Sequence, residues 1–343
     1  MRAWRIALLP GDGIGPDVVA EAVRVLQVVA PALVYEELQV GAGEYLRSGD
    51  PLPEGSFDRL RDFDAILLGA MGIPGVRWPS GVEMTPQLDL RERLDLYCGL
   101  RPVHLFHPLD SPLRDRAAGS IDIMLVREST EGLFAARRRP PDLASGCVED
   151  TMRITRAGAE RVIRAAFCQA MQRKKRLALV DKANVLPSMA FFRSVFDEVA
   201  GEFPDVVPER IYVDAAALYL VTQPERFDVL VTENMFGDIL SDLLAGLVGG
   251  MGMAPSADIG DRYAVFQPSH GSAPDIAGQG IANPVATILS AAMMLDWLGE
   301  GAAASRIDTA IHTVFQDRAA RTRDMGGGLS TGEMTDAILA RLP

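Results

Sequence analysis

The chain has 343 residues, 48% of them apolar and 23% charged, with a formal net charge of −12. That length exceeds a usual single domain and fits two, or one large α/β unit with an insertion. The acidic balance argues against a nucleic-acid surface, which needs a basic excess, but not against small anionic substrates, because an arginine cluster can dominate the field inside a cleft.

The first apolar run, residues 6–9, is too short for a signal peptide and is expected to form a strand. It leads into Gly11-Asp12-Gly13-Ile14-Gly15-Pro16. This looks like a dinucleotide loop, yet the third glycine comes one residue early for the Gly-x-Gly-x-x-Gly pattern and no Walker lysine follows. A tight strand-to-helix turn uses the same residues. Val19, Ala22, Val23 and Leu26 then repeat at helical spacing, and residues 65–69 form the next strand. Arg91 and Arg101 flank a short acidic stretch, and Arg127 ends the apolar run 123–126. An arginine at a strand end needs a carboxylate, and its planar fork matches one bidentately. A substrate or a neighbour such as Glu92, Asp95 or Glu128 meets that need equally well.

Residues 137–146, with three arginines, two prolines and a glycine, fit either an arm packed on another subunit or a solvated loop. A helix follows through Val162, Ile163, Ala166, Phe167 and Ala170. The strand 177–180 closes on Lys182, a position where desolvation can tune a lysine for acid–base work, although many such lysines only reach for solvent. The strand 210–213 delivers Asp214. After the strand 227–231, Asp238 and Asp242 lie four residues apart, on one face of a helix. Oxygen ligands around a hard divalent cation would turn their repulsion into a gain, with Asp214 completing the cage; two solvated acids are the alternative. The stretch from Pro268 to Pro284 is long, small and polar, as a functional loop or a structural Ω-loop would be. An acid in it could accept from ribose hydroxyls while repelling a 2′-phosphate. The apolar segment 281–298 carries Asn283, Pro284 and Asp296, so a core helix is expected rather than a membrane span. Alternating strands and helices mean an α/β fold with much parallel pairing. Cys98, Cys147 and Cys168 are scattered, which suits free thiols in a cytoplasmic protein.

Taken in order, Gly11 to Pro16, Leu68-Gly69-Ala70, Leu100-Arg101-Pro102-Val103, Val126-Arg127-Glu128, Val180 to Leu186, Val213-Asp214-Ala215, Thr232 to Asp242 and His270 to Pro284 resemble the β-decarboxylating dehydrogenases of 2-hydroxy acids. That family acts on isopropylmalate, isocitrate, homoisocitrate, tartrate or malate. The resemblance implies the family's two-domain α/β fold, not a Rossmann domain, with residues 1–97 and 250–343 in a large cofactor-side domain and 98–249 in a small one. It implies that Arg91, Arg101 and Arg127 hold substrate carboxylates, and that Thr85, Gln87 and Leu88 line the substrate's variable end. Thr85 and Gln87 fall where isocitrate users place hydrogen-bonding residues, whereas Met84 and Leu88 suit an isopropyl group. Asp214, Asp238 and Asp242 would bind Mg²⁺ or Mn²⁺, and Lys182 would be the base. His270, Gly271, Ser272, Ala273, Asp275, Ile276, Asn283 and Asn184 would meet NAD, Asp275 standing where NADP users tend to carry lysine. A homodimer is implied, with Lys182 and Asp214 from one subunit and Asp238, Asp242 and the arginines from the other. No nucleic-acid or membrane partner is expected.

One position departs from the family. In Arg127-Glu128-Ser129-Thr130-Glu131-Gly132-Leu133-Phe134, phenylalanine replaces the tyrosine that protonates carbon after CO₂ leaves. Hydride transfer with impaired decarboxylation is therefore expected, or a water takes the hydroxyl's place. The competing class is a paralogue that binds NAD or a dicarboxylate without turnover; retention of Lys182 and the three aspartates speaks against it.

Overall fold

Ten strands form one mixed sheet in the computed structural model, which describes residues 3–137 and 144–343. In chain order the elements begin β1 (Arg5–Gly11), α1 (Gly15–Val29), β2 (Val34–Glu37), α2 (Ala42–Ser48), α3 (Glu54–Leu60), β3 (Ala65–Ala70), α4 (Pro86–Arg93), β4 (Cys98–His104) and β5 (Asp122–Glu128). There follow α5 (Arg156–Met171), β6 (Arg176–Asp181), α6 (Pro187–Ala200), β7 (Val207–Tyr212), α7 (Val213–Thr222), β8 (Val229–Thr232) and α8 (Asn234–Leu247). The chain closes with β9 (Pro255–Ile259), β10 (Ala264–Pro268), α9 (Val285–Trp297), α10 (Gly301–Gln316) and α11 (Thr331–Leu339). No described helix is long and apolar enough to cross a membrane.

The strand order is β2-β1-β3-β10-β9-β4-β5-β8-β6-β7. The strands β2, β1, β3 and β10 are mutually parallel, as are β5, β8, β6 and β7. Between these halves β9 and β4 pair antiparallel to both neighbours. One face of the sheet is covered by α1, α5, α6, α9 and α10, which share a core containing Val25, Phe167, Phe196, Ile288 and Phe315. The other face is covered in two separate patches. Phe57, Leu60 and Leu90 of α3 and α4 pack over the β1 and β3 side, while Leu220, Leu240 and Leu244 of α7 and α8 pack over the β5, β6 and β8 side. A cleft opens between the two patches, above β10, β9, β4 and β5. It holds the candidate site.

The six expected strands all exist, with ends shifted by a residue or more. The largest shift is at 210–213: β7 runs earlier, Val213 already belongs to α7, and Asp214 sits in that helix's first turn. Four strands had no signal. Gly99, Arg101 and Pro102 interrupt β4, and Pro255, Ser256 and Asp258 interrupt β9, because polar residues of these strands face the cleft rather than a core. The core helix expected at 281–298 is α9, its N-terminus held where Val285 N donates to Asn283 Oδ1 at 3.1 Å. Of the arm or solvated loop expected at 137–146, residues 138–143 lie outside those described; Arg137 Nη2 donates to Asp89 and Glu92 of α4.

Candidate active site

Three guanidinium groups meet in a cavity of about 290 Å³ between the two helical patches. Arg91 comes from α4, Arg101 from β4 and Arg127 from the end of β5, and each is at most 7% exposed. Burying three like charges demands a counter-charge. Asp258, fully buried on β9, supplies it: Arg91 Nε donates to Oδ2 at 3.0 Å, Arg101 Nη2 to Oδ1 at 3.4 Å and Gln267 Nε2 to Oδ2 at 2.7 Å. Burial alone would push the Asp258 carboxyl up, but Arg91, Arg101 and Arg127 outweigh it and hold the group below the usual carboxylate range. Burial and Arg91 lower Arg127 to about 10, so it remains a cation at neutral pH. Arg101 Nε is buried without a hydrogen-bond partner in the cavity wall, which leaves a donor for an incoming anion.

Arg127 lies along α8. At Gly237 a Cβ would meet the arginine side chain at 2.6 Å, so only glycine lets the helix pass this close. Asn234 Oδ1 accepts from Arg127 Nε at 3.1 Å and Nη2 at 2.7 Å, and Nη1 pairs with Asp238. Asp238 and Asp242 both line the cavity from the same helix face. Burial and then Asp238 push the Asp242 carboxyl up, and Arg101 and Arg127 offset this only in part. Phe134 closes this side, with the Arg127 guanidinium 5.2 Å from its ring centroid. Opposite, Gln87 and Leu88 line the cavity, whereas Met84 is buried elsewhere and Thr85 precedes α4 outside the lining. Gln87 Oε1 is buried with no partner.

Lys182 and Asp214 form a separate group. Lys182 Nζ donates to Asp214 Oδ1 at 2.6 Å, and this contact lowers the Asp214 carboxyl. Neither residue lines the arginine cavity, and among the described residues no three acids, histidines or cysteines gather around one point. The three aspartates therefore do not form a single cage within one chain. Asn184, exposed beside Lys182, also lies outside both cavities described here.

A second cavity of about 480 Å³ adjoins the first and shares His270 with it. Ile14, Asp275, Ile276, Asn283 and Asp324 line it. Burial lowers the His270 imidazole, so the ring is neutral at pH 7, and its Nε2 is buried without a partner. An orphaned ring nitrogen, apolar walls and a rim carboxylate at Asp275 fit an adenosine-type ligand. Gly271 lines the arginine cavity, while Ser272 and Ala273 line neither. Ser272 instead clasps the Gly11–Pro16 turn: Ile14 N donates to Ser272 O at 2.8 Å, and a Cβ at Gly13 would meet that oxygen at 1.9 Å. Asp12 serves structure too, accepting from the amides of Ala42, Gly43 and Gly72, each at 2.8 Å. Asn283 spends its amide on Val285 N and Asp324 Oδ2 and presents its remaining surface to the cavity. The residues that the sequence did not reveal are Asp258, Gln267 and Asn234. Asp258 had no local signal, because β9 reads Pro255-Ser256-Ala257-Asp258-Ile259 and lacks the apolar alternation of a half-buried strand.

A family model described as isocitrate/isopropylmalate dehydrogenase matches residues 5–338. The chain is 46% identical to a 3-isopropylmalate dehydrogenase of Nocardia farcinica, over 98% of this chain and 99% of that protein. It is 45% identical to an isocitrate/homoisocitrate dehydrogenase of Thermus thermophilus, over 99% of each. Among solved structures, an isocitrate dehydrogenase from Methylococcus capsulatus superposes with a TM-score of 0.91 at 38% identity, covering 99% of both chains.

Proposed function

The chain belongs to the isocitrate/isopropylmalate dehydrogenase family, a family of decarboxylating oxidoreductases, and from that premise we propose that it oxidises a 2-hydroxy dicarboxylate such as 3-isopropylmalate with NAD and Mg²⁺ or Mn²⁺. The observation that carries this reading is the convergence of three buried arginines and two same-face aspartates on one cavity that opens into a second, His270-lined one. Asp238 and Asp242, with Asp214 from a second copy, would hold the cation, and His270, Gly271, Asp275, Ile276 and Asn283 would hold NAD. When bound, the cation supplies a Lewis acid and the nicotinamide a hydride acceptor.

In this reading the chain's own residues do the following. Arg91, Arg101 and Arg127 take the two carboxylates; their forks are already oriented by Asp258 and Asn234, so little ordering remains to be done on binding. Lys182, held by Asp214, receives the proton of the C2 hydroxyl. Asp275 at the rim favours free ribose hydroxyls over a 2′-phosphate. Phe134 shields the cleft and stacks near Arg127 but has no proton to deliver, so the reading includes slow protonation of the carbon left by CO₂.

A shared site also follows, since Lys182 and Asp214 stand apart from the arginine cavity. Leu218 and Val221 on α7 and Ile239 on α8 are exposed, Ile239 next to Asp238, and a second copy would cover them in a homodimer. The proposed large and small domains divide the sheet between β9 and β4, at the floor of the cleft. Three free cysteines fit a cytoplasmic setting. Gln87 favours a second substrate reading: its Oε1 is buried without a partner, and with the amide turned its Nε2 would donate to a carboxylate substituent at C3, as in isocitrate, where Leu88 alone would suit isopropyl. The test is NADH formation with Mn²⁺ across 3-isopropylmalate, isocitrate, tartrate and malate. Turnover of any one supports the reading, the preferred diacid settles the substituent, and no turnover with all four defeats it.

A further inference from the structure

A third cavity lies behind the arginine cleft, on the opposite face of the same strands, and at about 680 Å³ it is larger than either of the two already described. Side-chain alternation separates the two spaces. Arg101 and Asp258 project into or beneath the cleft, whereas their chain neighbours Leu100 and Ala257 face the other way. With Met124 and Phe266 these residues make an apolar floor. The helical cover parts here: α5 forms one wall and α9 with α10 the other. A groove of this volume with an apolar floor and a few convergent polar groups has the make-up of a small-molecule site.

The two carboxylates at its mouth carry one sign. Asp296 and Asp308 stand at the mouth beside Trp297, and neither forms an ion pair among the described residues. Burial and then Asp296 push the Asp308 carboxyl up, and His104 offsets them only in part. Of the remaining ionisable groups that face the groove, His104 is the one that partly offsets the two acids. Burial lowers the His312 imidazole, and Tyr97 and Cys98 are raised to about 12, so all three are neutral at pH 7. Cys168 carries no positive charge in any state, and His104 has its own carboxylate, Asp122 Oδ1, at 3.9 Å. Trp297, 40% exposed, lines the same lip.

We propose that this groove binds a primary ammonium carried on an apolar chain or ring, the ammonium between Asp296, Asp308 and the Trp297 ring, and the apolar part on the Leu100–Phe266 floor. Charge complementarity selects a cation, and the floor selects a hydrophobic body. The site is distinct from the arginine cleft, which has the opposite charge preference. Occupancy of one leaves the other open.

The probes are 3-phenylpropylammonium with 3-phenylpropanol and 3-phenylpropionate as neutral and anionic matches, titrated into the full chain by calorimetry and by ligand-observed NMR at low salt. Saturable binding is expected, with the ammonium about tenfold tighter than the alcohol, since two partly exposed carboxylate contacts each contribute a few-fold. The variant Asp296→Asn/Asp308→Asn alters two exposed side chains, so its fold should persist; it should erase most of that preference while leaving the alcohol's affinity unchanged. Trp297→Ala should weaken both probes. The proposal is overturned if the ammonium shows no saturable binding to folded protein. It is equally overturned if the alcohol or the propionate binds this groove as tightly, or if the double variant keeps the full preference for the ammonium.

Discussion

Replacing Asp258 by asparagine keeps the shape of the side chain and removes one buried charge. Arg91 Nε and Gln267 Nε2 can still donate to a carbonyl oxygen in the Oδ2 place, while the new amide nitrogen takes the Oδ1 place. What disappears is the counter-charge that faces Arg91, Arg101 and Arg127 from beneath. Leaving buried charges without their partner costs about 3–5 kcal/mol, and retention of the hydrogen-bond shape puts the expected loss near the lower end, about 3 kcal/mol at pH 7. Because the folded Asp258 carboxyl is held below its unfolded value, its contribution is complete above the unfolded pKa of about 4 and is lost as pH falls through the folded one. The stability gap between the parent and Asp258→Asn should therefore be constant from pH 8 to about 5 and should close in stronger acid. Binding should suffer separately. If Arg91 and Arg101 lose their orientation by an amount equal to one charge-assisted hydrogen bond, KM for the diacid rises about tenfold or more, with a smaller change in kcat. Urea titrations across pH, with initial rates at pH 7.5, measure both. An unchanged urea midpoint at pH 7, or a variant whose stability deficit persists undiminished at pH 3, would refute the claim that Asp258 is the ionised anchor of the arginines.

Other expectations follow from individual contacts. Phe134→Tyr restores a proton donor in the cleft and should raise CO₂ released per NADH formed, the protonation step gaining up to about 10²-fold; equal ratios in the two proteins would reject a chemical role for this position. Gln87→Leu removes the unpartnered amide and should shift kcat/KM from isocitrate toward 3-isopropylmalate by about tenfold or more, while an unchanged ratio would show that the amide does not meet the substituent. Chains carrying Lys182→Gln and chains carrying Asp242→Asn should each be nearly inactive. After subunit exchange an equal mixture should regain about a quarter of parental activity, because half the dimers are mixed and each of those has one intact site. No recovery would place the whole site within a single chain.

What the sequence revealed and what it hid divide along a physical line. The common face of Asp238 and Asp242 was legible because one helical turn determines it, and the strand-end place of Lys182 because the apolar run 177–180 is short enough to mark a buried strand. The Gly11–Pro16 turn was legible as a turn, but its chemistry was not. Asp12 and Gly13 serve the loops at 42–43, 72 and 272, which no local pattern connects to them. Thr85 and Gln87, two residues apart, looked equivalent; the first turn of α4 points only Gln87 into the cavity. Strands β4 and β9 were invisible because a strand lining a polar cleft lacks the apolar alternation that identifies half-buried strands. The same cause hid Asp258, whose bond to Arg91 spans 167 positions. That pairing depends on β9 being inserted between β10 and β4, in the one stretch of the sheet where successive strands reverse direction. An antiparallel insertion puts the middle of two strands, rather than only strand ends, at the floor of the cleft. It lets a carboxylate sit beneath the arginines without occupying the space their ligand needs.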